Sequence, residues 1–130
     1  MIVLDTHTWM WWVADLDRLT ESQQQVIRDN QTAGLGVSII SCWEIAKKCA
    51  LGKLQLNRPV ADWFYLALRF PGIVLLPLKP KIVVDTTQLS APFHRDPADQ
   101  LIVATARVHG TGLLTTDDRI RQYPHCNTLP

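Results

Sequence analysis

Glutamate is nearly missing from this chain. Only Glu21 and Glu44 stand among its twelve acidic residues, so the negative charge is carried almost wholly by aspartate. Cysteine is scarce as well. Cys42, Cys49 and Cys126 make an odd number without a C-x-x-C pair. That excludes a disulfide framework, argues against structural zinc, and fits reduced thiols in a cytoplasmic protein. No apolar run is long enough to span a bilayer, and Met1–Leu4 has no basic segment before it, so neither a membrane anchor nor a signal peptide is expected. Repeats, low-complexity tracts and linkers are missing too. The 130 residues therefore read as a single domain, 1–130.

Charge of one sign is also lacking: the net is +1, which alone points to no partner. The hydrophobic share, 47%, is enough for a real core. Short apolar runs alternate with longer helical patterns along the chain. Strands are expected at Ile2–Asp5, Leu35–Ile39, Ile73–Leu76 and Gly112–Thr115, with Cys126–Leu129 as a last edge strand. Helices are expected at Thr8–Ala14, Thr20–Asn30 (capped by Thr20), Ser41–Leu51, Val60–Phe70, Lys81–Leu89, Pro97–His109 and Asp118–Gln122. Solidly apolar strands alternating with helices indicate a parallel sheet of four to five strands covered on both faces, a three-layer α/β/α arrangement. In such sheets reactive groups gather at the carboxyl ends of strands.

Two acids fall at such ends. Asp5 follows Ile2-Val3-Leu4, and Asp117 follows Leu113-Leu114-Thr115-Thr116. Either could equally cap the next helix. In Asp96-Pro97-Ala98-Asp99 the first acid is a good N-cap and Pro97 a good first helical residue. Asp99 differs, because it shares a helix face with Ile102, Val103 and Ala106 and so points toward the sheet. A carboxylate buried there needs a partner such as a cation. Glu44 lies opposite the stripe Cys42, Ile45, Ala46 and Cys49, with Lys47 and Lys48 at i+3 and i+4. The pattern alone favours a solvated helix salt bridge for it. Asp5, Glu44, Asp99 and Asp117 together form a candidate cluster. Four carboxylates in one site repel one another unless a counter-charge is present. With no paired His or Cys, the ion of choice is a hard one, Mg²⁺ with Mn²⁺ as the alternative. An acidic pocket in an otherwise mildly basic molecule suits a metal enzyme acting on a polyanion.

These segments resemble the motifs of the PIN domain family, and of its VapC-type toxins in particular, over essentially the whole chain. Val3-Leu4-Asp5-Thr6-His7 is similar to the first motif. Ser41-Cys42-Trp43-Glu44-Ile45-Ala46-Lys47-Lys48, followed by Leu51-Gly52-Lys53-Leu54, is similar to the W-E-I-A-x-K…L-G-K-L segment. Arg95-Asp96-Pro97-Ala98-Asp99-Gln100-Leu101 resembles the third motif and Leu114-Thr115-Thr116-Asp117 the fourth. The chain departs from many relatives at Gln100, where Arg is common, and in the extra acid Asp118. The resemblance implies a Mg²⁺-dependent endoribonuclease toxin of PIN-like α/β/α fold. It implies catalytic and metal-binding roles for Asp5, Glu44, Asp99 and Asp117, and it selects Asp99 over Asp96 and Asp117 over Asp118. Asp96, Thr6 and Thr116 become supporting residues, and Lys47, Lys48 and Arg95 become contacts for RNA phosphates. The implied partners are RNA, a VapB-type antitoxin that holds the enzyme inactive, and a second copy in a homodimer.

Trp9-Met10-Trp11-Trp12-Val13 is apolar nearly all round, and a small domain cannot bury every side of one helix. Trp9, Trp11 and Trp12 are therefore expected to meet the antitoxin or the second copy. Two phosphate-handling alternatives fit poorly. A haloacid-dehalogenase-like phosphatase needs an acid at position 7, which is His7, and the acids and late Lys of a receiver domain are not in place. A PIN module that only binds protein or RNA is disfavoured by the presence of all four acids.

Overall fold

A computed structural model describes residues 1–90, 93 and 95–130. Among these, four strands form one sheet: β1 (Ile2–Leu4), β2 (Leu35–Ser38), β3 (Ile73–Leu76) and β4 (Leu113–Leu114). Every pairing is parallel and the order is β3-β2-β1-β4. The expected edge strand at Cys126–Leu129 shrinks to one parallel bridge between Thr128 and Leu113. The helices are α1 (Thr6–Ala14), α2 (Glu21–Asn30), α3 (Ile39–Ala50), α4 (Val60–Ala67), α5 (Pro80–Thr86), α6 (Pro97–Val108) and α7 (Asp118–Arg121). Between α1 and α2 lies a turn of 3₁₀ helix, Leu16–Arg18, which the sequence pattern does not announce. Gly110, at φ +63°, closes α6 in the left-handed conformation that glycine adopts without strain.

Strand pleating divides the apolar residues between two layers. Ile2 and Leu4 of β1, Leu35 and Val37 of β2 and Leu114 of β4 join Trp9, Ile27, Ile45 and Trp63 on one face. Val3 and Leu113 face the other way and pack with Ile102, Val103, Ala106, Ile120 and Tyr123. This split makes the three-layer α/β/α fold, because each central strand must satisfy two cores at once. Gly36 fits the same geometry. A Cβ there would lie 2.7 Å from Leu76 Cδ1, so the missing side chain lets Leu76 lie across β2.

The tryptophan-rich helix is more deeply packed than its composition suggests. Trp9 is 0% exposed, so it belongs to the core and cannot meet a partner, which corrects the expectation for that residue. It lies edge-on to Trp63 at 5.2 Å and stacks with Phe64 at 6.4 Å between ring centroids. The helix α4 supplies the wall that an isolated α1 lacks. Trp11 and Trp12 stay half-buried. Among the described residues, no helix is long and apolar enough to cross a membrane.

All three cysteines are free thiols. Burial pushes the Cys126 thiol up to about 11, with Arg107 pulling weakly the other way. At pH 8 only about one such thiol in a thousand is ionised, against about a quarter of ordinary cysteines. Cys49 is half-buried and reachable, whereas Cys126 is buried and its thiol is held protonated, so Cys49 is expected to react with iodoacetamide well before Cys126. The Cys126 rate should climb about tenfold per pH unit toward its pKa. Site-resolved mass spectrometry checks this, and equal labelling of both at pH 8 would contradict it.

Candidate active site

The central position of β1 decides which side chains can meet. Its neighbours are β2 and β4, so the residues leaving β1 and β4 at their carboxyl ends lie side by side. Asp5 leaves β1 and is 5% exposed. One carboxylate oxygen accepts from the Thr8 amide at 2.9 Å and caps α1, which therefore begins at Thr6 rather than Thr8. The other accepts the Thr115 hydroxyl across the strand pair. The same Thr115 oxygen accepts from the Asp117 amide at 3.0 Å. One threonine thus ties the two strand-end acids together. The hydroxyl that reaches Asp5 belongs to Thr115, not Thr116, because alternation turns position 115 inward.

Glu44 approaches from α3. It is half-buried, and its Oε1 accepts the Thr6 hydroxyl at 2.6 Å. Ser41 Oγ lies 2.9 Å from the same Thr6 oxygen. The solvated salt-bridge pattern is not what forms. The Glu44 edge of α3 looks across to α1 and toward the start of α6, while Trp43 and Lys47 beside it stay exposed. Burial raises the Glu44 carboxyl above its ordinary value, Thr6 and Lys48 pull it down, and Asp99 and Asp96 push it up again. These acids are therefore near enough to feel one another's charge.

Asp96 caps α6 as its position suggests, accepting from the Ala98 and Asp99 amides at 2.9 and 3.2 Å. Asp99, one turn into α6, is largely buried at its side chain, while Ile102, Val103 and Ala106 on the same face enter the core. Asp117 caps α7 through the Arg119 amide at 2.8 Å. The residue that sequence reasoning passed over is Arg119. Its guanidinium lies 3.0 Å from Asp117 and 3.8 Å from Asp99. Only the two-residue spacing from Asp117 hinted at it. Contacts run from Asp5 through Thr115 to the Asp117 amide and through Arg119 from Asp117 to Asp99, while Glu44, held by Thr6 next to Asp5 in the chain, feels Asp99 and Asp96 through their charge. Lys48 acts on Glu44 through its charge, Lys47 lies over Trp43, and Arg95 and Asp118 are exposed.

As the side chains stand, no three His, Cys, Asp or Glu among the described residues are grouped closely enough to hold a metal ion. The chemistry of the donors nonetheless suits one. Every candidate ligand is a carboxylate, the set for a hard divalent cation. Burial raises the Glu44 carboxyl, with Asp99 and Asp96 adding to it, and a cation beside it would favour the charged form. Arg119 places a single positive charge between two of the acids, and at 63% exposure it is held only by screened contacts.

The PIN domain family model matches residues 2–125. Ribonuclease VapC22 of Mycobacterium tuberculosis is 34% identical over 124 residues, covering 95% of this chain and 92% of that protein. Two crystal structures share the fold. VapBC2 from Rickettsia felis bound to a promoter DNA fragment aligns with a TM-score of 0.74 at 14% identity, over 99% of this chain and 98% of the other. DNA-bound VapBC from Salmonella typhimurium gives 0.72 at 18% identity, over 99% and 98%. The strand-end acids Asp5 and Asp117, with Glu44 and Asp99 from flanking helices, stand on a parallel α/β/α scaffold that the family model spans almost end to end, and the chain belongs to the PIN domain family.

Proposed function

We propose that this protein is a VapC-type endoribonuclease toxin, a single domain over residues 1–130, that hydrolyses RNA phosphodiesters with Mg²⁺ or Mn²⁺. The observation that carries the reading is the linkage of Asp5, Asp117 and Asp99 through Thr115 and Arg119, with Glu44 held beside Asp5 by Thr6. The identity to a named ribonuclease across nearly the whole chain supports it. Asp5 and Asp117, fixed at strand ends, would hold the ion directly, with Asp99 beside them and Glu44 acting through water. When bound, a divalent ion lowers the pKa of a water and offsets charge on the phosphorus at the transition state.

The chain's own groups do the rest. Asp5 cannot rotate, because both of its oxygens are engaged. Glu44, half-buried beside the other acids, is placed to accept a proton from the attacking water. Thr6 orients Glu44. Lys47, Lys48 and Arg95 take the flanking phosphates. The products carry 5′-phosphate and 3′-hydroxyl ends. Solved structures sharing the fold, including a toxin–antitoxin complex from Klebsiella pneumoniae, contain antitoxin. A VapB-type antitoxin and a homodimer are accordingly the proposed assembly, in the cytoplasm, with Trp11 and Trp12 as contact candidates.

The test is induction of the chain in bacteria without antitoxin, with RNA 5′ ends mapped against Asp99→Asn. Growth arrest and discrete new 5′-phosphate ends with the parent alone support the reading. Identical growth and RNA profiles, with both proteins soluble, leave a binding module in its place. Thr6→Val tests the orientation of Glu44 separately. Losing that hydroxyl is expected to lower kcat about 10- to 100-fold, as loss of a ligand-orienting group does. The circular dichroism spectrum should be unchanged, and full retained activity would remove Thr6 from the account.

A further inference from the structure

Trp43 is the tryptophan that the core does not use. It is 56% exposed on α3, whereas Trp9 and Trp63 are buried. A single exposed indole is ordinary on a protein surface. This one has a particular setting. It immediately precedes Glu44, and it lines one open cavity with Glu44, Lys47, Lys48, Asp96, Pro97 and Ala98. The Lys47 ammonium sits 5.9 Å from the ring centroid. A flat apolar face, two cations and a candidate catalytic carboxylate thus open onto the same space. An apolar peptide would need the face but not the cations, and a bare phosphate the cations but not the face. A nucleotide unit needs both: a base to stack and a phosphate to neutralise.

We propose that the Trp43 indole is a stacking platform for a nucleobase flanking the scissile phosphate of single-stranded RNA, with Lys47 and Lys48 on the adjoining phosphate. The proposal deepens the ribonuclease reading and rests on it. Stacking on an indole tolerates any base, so the platform supplies affinity and register, and selection among bases must come from elsewhere.

The probe is a fluorescein-labelled short single-stranded RNA of randomised sequence. Binding is measured by anisotropy across a salt series in an Asp99→Asn background, which limits turnover. Trp43→Ala is expected to weaken binding about 5- to 150-fold, the loss of one stacked base. The slope of log K against log salt should stay as it was. Lys47→Gln and Lys48→Gln should each flatten that slope by about 0.7, because one phosphate is then left without its neutralising cation. Trp43→Phe should recover most of the affinity. On the otherwise native enzyme, Trp43→Ala should raise KM more than it lowers kcat. Because the indole is exposed, the variant is expected to melt with the parent, and this is checked in parallel. A parent that binds and cuts RNA, beside an equally competent Trp43→Ala, overturns the platform alone. If Trp43→Ala spares RNA binding but loosens an antitoxin complex, the indole serves a protein partner and the proposal falls. A parent that neither binds nor cuts RNA overturns the platform together with the ribonuclease reading.

Discussion

Asp5→Asn is expected to cut RNA cleavage by about a thousandfold, equal to about 4 kcal/mol of activation free energy, while leaving the protein folded. The two effects separate because Asp5 has two jobs. Its structural job is to accept the Thr8 amide and cap α1. An asparagine oxygen does that nearly as well, since Asn and Asp rank together as N-caps. Its other oxygen faces Thr115, whose hydroxyl can turn its proton elsewhere when an amide NH₂ replaces the acceptor. The cost to stability should therefore be about 1 kcal/mol or less. The chemical job proposed for it is charge. An amide contributes no negative charge to a hard cation and loses most of the pull that a carboxylate exerts. Asp5→Ala should differ on the first count, losing the cap and about another 1 kcal/mol with it. Initial rates on RNA and urea melts of both variants check the prediction. An Asp5→Asn enzyme within tenfold of the parent would remove Asp5 from the chemistry.

Trp9→Ala is expected to cost about 3–5 kcal/mol of folding stability, enough to leave a marginal domain partly unfolded at growth temperature. The indole is fully buried against Trp63 and Phe64, so truncation opens a cavity walled by rigid rings that cannot collapse into it. The nitrogen adds a finer expectation. Among the described residues the Trp9 Nε1 has no hydrogen-bond partner and is buried. Trp9→Phe gives up volume but also removes that unsatisfied donor, so it should cost much less than the alanine change. Urea unfolding followed by circular dichroism measures both. A Trp9→Ala protein as stable as the parent would mean that the ring is not a core element.

The contrast between Asp5 and Trp9 shows what a linear reading can and cannot reach. Asp5 and Asp117 are legible because a short apolar run followed by an acid marks the carboxyl end of a buried strand. Asp99 is legible because helical periodicity puts it on the face of Ile102 and Val103. Glu44 is not, on pattern alone. A helix wheel knows which side is opposite the apolar stripe, but not that α1 and the start of α6 stand beside Glu44 at one edge of it. Only the resemblance to family motifs moves it into the site. Trp9 escapes for the same reason: what covers α1 is α4, some fifty residues further on. Threonine 115 against 116 turns on a single step of strand alternation, which a two-residue strand scarcely records. Arg119 sits on a four-residue helix with no periodicity to read.

The order β3-β2-β1-β4 also has a kinetic meaning. Asp5 is made 110 residues before its partner Thr115. The strands β1 and β2 can pair once the second has emerged, but β1 stays open on its other edge until β4 is delivered. Contacts so distant along a chain are closed late, since loop-closure entropy must be met before they return anything. The acids therefore converge in the final stage of folding. A growing chain can pair β1 with β2, and β2 with β3, long before Thr115 and Asp117 exist to meet Asp5.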